Sequence, residues 1–150
     1  MGDKHLDDVE RLVISEAIAC NANNTITKTN YQEIKEHKHA IYEELCIPVE
    51  ERDKMEKKLE GYRYISELND FREGHFIRWI KLNTDSAYSL ARGGFAVKVD
   101  IINEDIHVTC KLPIRFGFQH VVLKGSENIF FQKLSDSECI ILSAIEYLNK

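Results

Sequence analysis

At about Tyr62 the spacing of apolar residues switches from steps of three and four to steps of two, so the chain must join a helical first part to a strand-rich remainder. In LDDVERLVISEAIA, residues 6–19, Leu6, Val9, Leu12, Val13, Ala17 and Ile18 recur at helical steps, and Asp7 and Asp8 sit where the helix dipole favours acids. The run NANNTITK, residues 21–28, interrupts that helix with side chains that compete for backbone hydrogen bonds. A second helix is expected from a cap at Asn30, with Glu33 as its capping-box partner and Tyr31, Ile34, Ile41, Tyr42 and Leu45 on one side. It should stop before Pro48, which is placed to open a third helix with acids first, lysines later and Gly61 as its exit. That third helix has only Val49, Met55 and Leu59 to bury, so it should lie on the surface.

Beyond Tyr62, FAVKVDI (95–101) puts Phe95, Val97, Val99 and Ile101 on one side. After a turn at Asn103, IHVTC returns with Ile106, Val108 and Cys110 inward, predicting a hairpin. A second hairpin is expected from QHVVL (119–123), the turn KGSEN and IFFQKL (129–134). FREGHFIRWIKL (71–82) carries apolar groups on both faces, as a strand covered on both sides does, with Phe76, Arg78 and Ile80 on one face and Ile77 and Trp79 on the other. Ser135 and Glu138 form a capping box for a last helix with Ile140, Ile141, Ala144, Ile145 and Leu148 on one stripe. The expected architecture is α+β: a helical region over 1–61, then an SH3-like antiparallel β-barrel with a closing C-terminal helix over 62–150, forming one cooperative unit.

Composition narrows the function. The apolar fraction of 43% and charged fraction of 30% are those of a folding chain rather than a disordered one. No window approaches the roughly 18 apolar residues of a membrane span, and MGDKHLDDVERL is too acidic for a signal peptide. Leu6 stands where a myristoylation signal wants Ser or Thr. A protein of the cytoplasm or nucleus, not secreted and without membrane contact, is expected. Cys20, Cys46, Cys110 and Cys139 show no CxxC pair, which suits reduced thiols better than disulfides or zinc. The net charge of −5 is uneven: residues 61–134 hold 10 Lys or Arg against 8 Asp or Glu, so only the middle is mildly cationic.

Catalytic patterns are missing. No His-Glu-x-x-His, phosphate loop or nucleophile elbow occurs, and His37 and His39 point apart on their helix. Gly93-Gly94 lacks the lysine and helix start of a phosphate cradle and reads as a strand entrance. Glu73 and His75 would share a strand face, but as a surface pair. The expectation is a non-enzymatic protein without cofactor or metal, acting as an interaction or adaptor module in which the helical region or a strand edge meets a protein partner. The alternative is nucleic-acid binding through a basic barrel edge, with Arg72, Arg78, Lys81 and Arg92 as the contact residues. Lys98, Lys111 and Arg115, and the aromatics Trp79, Phe116 and Phe118, would be auxiliary to it.

The run Gly74-x-Phe76-Ile77-Arg78-Trp79-Ile80, then Leu90-x-x-Gly93-Gly94, a hairpin and Ile129-Phe130-Phe131 resembles a family of small uncharacterised proteins of nucleocytoplasmic large DNA viruses. The resemblance covers roughly residues 68–132, and the sequence has Gln119-His120-Val121 where that pattern carries a Trp. It implies an SH3-like barrel and a virion or infected-cell setting, with no catalytic residues to carry over.

Overall fold

The computed structural model of the chain describes residues 7–20, 25–82 and 89–149. Among these residues four helices and six strands follow in the order α1 (Asp8–Cys20), α2 (Tyr31–Glu44), α3 (Val49–Lys58), β1 (Tyr62–Ile65), β2 (Phe76–Lys81), β3 (Gly94–Ile102), β4 (Asp105–Ile114), β5 (Gly117–Lys124), β6 (Asn128–Lys133) and α4 (Asp136–Leu148). Short 3-10 turns occupy Thr25–Lys28 and Leu68–Asp70. The expected start of the first helix at Leu6 and its interruption at 21–24 lie outside the described residues.

The helix ends follow local chemistry. Asn30 caps α2 by accepting the Glu33 N–H at 2.9 Å, while the Glu33 carboxylate is taken by Thr29 Oγ1 at 3.0 Å rather than completing a capping box. In α4 the box is complete, with Ser135 Oγ accepting from Glu138 N and Glu138 Oε1 accepting from Ser135 N. Pro48 stands at the N-cap of α3 with extended backbone, one position earlier than the helix interior. Only Met55 is buried within α3, with Leu59 buried at its C-cap.

All pairings in the sheet are antiparallel, and the strand order is β1-β6-β2-β3-β4-β5. Among the described residues no ladder joins β5 to β1, so the sheet is open and does not close into the expected barrel. It is nevertheless curled. Ile65, Ile77, Trp79, Ala96, Val108, Cys110 and Phe130, with Val121 and Leu123 against them, draw all six strands into one inner core. The outer face of β1, β6 and β2 is covered by α2 and α3 through Ile41, Tyr42, Met55, Leu59, Ile80 and Phe131. A third cluster, Ala17, Ile26, Ile34, Ile141 and Leu142, joins α1 and α4 to the start of α2.

Two strand expectations change. β5 and β6 do not form a hairpin: β5 pairs with β4 through the tight turn at Arg115 and Phe116, and β6 crosses to lie between β1 and β2. The cause is burial. β6 places Phe130 in the inner core and Ile129 and Phe131 against the helices, which only a central strand permits, whereas Gln119 and His120 leave β5 suited to an edge. The second change is a bulge between Ala96 and Lys98 that shifts the phase of β3. Ala96 is therefore fully buried, and Phe95 and Val97 remain 43% exposed. At the entrance to β3, Gly93 has φ +106°, and a Cβ there would lie 2.5 Å from the Ile77 carbonyl, so close backbone approach explains the Gly pair.

Candidate functional site

Among the described residues β1 is one free edge of the sheet, and a cleft of about 350 Å³ runs beside it. One wall is α2, which presents Ile34, His37, Ala40 and Ile41 at helical spacing; the other comprises Arg63, Tyr64, Ser66 and Glu67. Thr25, Lys28 and Asp70 close one end.

The direction of the β1 backbone follows from one bond. The Leu134 N–H donates to the Gly61 carbonyl at 2.8 Å, and bonded pairs alternate along an antiparallel ladder. Arg63 and Ile65 therefore turn their N–H and C=O groups to β6, and Tyr64 turns its own outward, followed by Ser66. No hydrogen bond to the Tyr64 or Ser66 backbone on that side is found among the described residues. The cleft thus combines an unsatisfied strand edge with a partly apolar helix wall.

A buried polar cluster makes its base rigid. Arg63 Nη1 donates to Thr25 Oγ1 at 3.1 Å, and Nη2 lies 3.5 Å from both Asp70 Oδ1 and Glu138 Oε2. At that length the two contacts are charge pairs rather than hydrogen bonds, and Arg63 Nε and Nη2 lack a hydrogen-bond partner among the described residues. Asp70 accepts from the Thr25 N–H and hydroxyl at 2.9 Å each. Gln132 Nε2 donates to the Asp70 carbonyl at 2.9 Å, and its Oε1 accepts from Arg72 N at 2.9 Å. Four segments, β1, the two 3-10 turns and α4, meet on one guanidinium, so the edge strand cannot shift without disturbing the charges. On the far side of α2, Lys38 lies 3.4 Å from Glu56 and donates to the Leu59 carbonyl at 3.1 Å, which fixes α2 to α3. Burial, and then the negative Glu56 beside it, pushes the Tyr42 phenol well above its ordinary range.

The four cations singled out in the sequence do not share a patch. Arg78 donates from Nε to the Ala91 carbonyl at 2.9 Å and from Nη1 to the Lys58 carbonyl at 3.2 Å, and thereby ties α3 to the strand entrance. Arg92 is exposed at the same corner. Lys81 stands at the opposite end of β2, paired with Asn128, and Arg72 lies at the 3-10 turn with its N–H on Gln132. Trp79 is buried in the inner core, while Phe116 and Phe118 are 87% and 55% exposed. No group of three His, Cys, Asp or Glu side chains converges among the described residues, and no helix there is long and apolar enough to cross a membrane.

The cleft was not legible in the sequence, because its walls meet only through the pairing of β1 with β6 and the packing of α2. The one local hint is YRYI, which sets a charged Arg63 among alternating strand positions. Compared with family models, curated proteins and solved structures, the chain shows no significant match.

Proposed function

We propose that this protein is a non-enzymatic interaction or adaptor protein that captures an extended segment of a partner protein as an added strand on β1. The carrying observation is the outward-facing backbone of Tyr64 and Ser66 inside a cleft walled by α2. Strand addition takes its affinity from main-chain hydrogen bonds and its selectivity from pockets for alternate side chains. Here Ile34, Ala40 and Ile41 would receive an apolar side chain, and Lys28, His37 and Glu67 border the cleft with charge. The curled sheet, whose inner core draws on all six strands, supports an SH3-like reading of the β region. The Gly74 to Ile80 pattern supports a large DNA virus as the setting, with action in the host cytoplasm or nucleus or in the virion.

Selection of displayed peptides against the whole protein, followed by solution affinities, tests this. Ala40 is an exposed helix position, so Ala40→Trp fills the cleft without disturbing the core, and Ser66→Pro removes an outward N–H. Selected peptides should bind at least tenfold more weakly to both variants, a loss of about 1.4 kcal/mol. Undiminished binding to Ala40→Trp would reject the cleft.

A further inference from the structure

Among the described residues no helix lies over the outer face of β3, β4 and β5, and its side chains differ in kind from those of the cleft. Register places Phe95 beside Lys111 and Lys111 beside His120, with Lys98, Thr109 and Val122 in the next row and His107 and Lys124 beyond. Phe118, at 55% exposure, lies on the same face two residues from His120, and the Lys111 ammonium sits 4.1 Å from its ring centroid. Phe95 is held at a fixed tilt by Phe76, edge to face at 5.1 Å. At the hairpin tip, Phe116 is 87% exposed with the Arg115 guanidinium 5.4 Å from its ring.

Charge separates this face from the rest of the chain. Lys98, Lys111 and Lys124 project here from a protein of net charge −5. Asp100 lies 3.5 Å from Lys98 and offsets that lysine's charge, and Asp105 accepts from the Ser126 hydroxyl and N–H at 2.6 and 3.0 Å, so Lys111 and Lys124 are the cations left for a ligand. Two aromatic positions about 12 Å apart by strand spacing, with Lys111 on the strand between them, match a ligand of flat aromatic groups joined by anionic links. A duplex, with its bases stacked inward, could use the lysines but not the rings.

We infer that the outer face of β3, β4 and β5 binds single-stranded nucleic acid, with Phe95 and Phe118 stacking bases and Lys111 and Lys124 meeting phosphates. Neither the β1 cleft nor the Arg72, Arg78, Lys81 and Arg92 set takes part.

The test is fluorescence anisotropy of a labelled oligothymidylate about 16 nucleotides long, beside a duplex of equal length, between about 50 and 200 mM salt. The full chain should bind the single strand in preference to the duplex, with affinity falling as salt rises. Phe118→Ala and Phe95→Ala should each weaken binding about tenfold. Lys111→Glu should weaken it and flatten the salt dependence. Lys81→Ala and Ala40→Trp should leave it unchanged, which separates this proposal from peptide capture at β1. All five positions are exposed or half-buried, and unchanged thermal melts would show that each variant folds. No saturable binding at the lowest salt, or duplex binding as tight and indifferent to Phe118→Ala, would overturn the inference. So would a dimer in sedimentation that Val122→Asp dissociates, since that would assign the face to a second copy of the chain.

Discussion

The two halves of the sheet are built alike and finished differently. β1, β6 and β2 have the inner core on one face and α2 and α3 on the other, so Ile77, Ile80 and Phe131 are fully buried. β3, β4 and β5 contribute Ala96, Val108, Cys110 and Val121 to the same inner core, yet among the described residues nothing covers their outer face, and Phe95, Phe118 and Val122 are exposed at 43, 55 and 60%. Covering both faces spends a strand's side chains on stability. Leaving one face open keeps aromatic and cationic groups in contact with solvent, where the proposed nucleic-acid surface would use them. Among the described residues the edges differ in the same way: β1 lies in a cleft beside α2, and β5 has only β4 beside it.

The largest expected effect comes from the covered half. Phe131→Ala should lower unfolding free energy in urea by about 4 kcal/mol, because the ring is enclosed by sheet and helices and its removal leaves a cavity. Arg63→Leu should cost about 3 kcal/mol by leaving Asp70 and Glu138 buried without their shared countercharge. A small loss there would mean that water reaches the cluster and that the base of the cleft is not rigid.

Cys110 sharpens the comparison, since it lies on the buried side of the open half. Burial pushes its thiol up from the ordinary 9.0 to about 12. The unfolded chain releases this proton first, so the contribution is fully present below pH 9 and is lost as pH rises from 9 toward 12. Urea titrations across that range should show a decline that Cys110→Ala reduces, and a thiol reagent should modify exposed Cys46 well before Cys110. Rapid labelling of Cys110 in the native state would mean that the open half lacks a closed inner core. The smallest effect belongs to the bare face: Phe118→Ala should change stability by less than about 0.5 kcal/mol. A loss approaching that of Phe131→Ala would erase the distinction between the halves.

Much of this architecture is written locally. The caps at Asn30 and Ser135, the acid-to-base gradient of α3 and the alternation of IHVTC each specify their element within a few residues. Strand partnership is not local. QHVVL and IFFQKL flank a turn-rich KGSEN as hairpin strands would, and only the need to bury both faces of β6 separates them. The bulge at Val97 likewise turned Ala96 rather than Phe95 and Val97 to the core while leaving Val99 against it as expected, and no residue type in that run announces it. Both candidate surfaces depend on such pairings. Tyr64 becomes an edge residue through β6, and Phe95, Lys111 and Phe118 become neighbours through two ladders.

Residue-resolved amide hydrogen exchange, with and without a peptide selected against the whole protein, tests the strand-capture account most directly. The account predicts that the Tyr64 and Ser66 amides exchange rapidly in the free protein and become strongly protected in the complex, while β5 amides do not change. Protection confined to β5, or none at Tyr64 and Ser66 under saturating peptide, would contradict it.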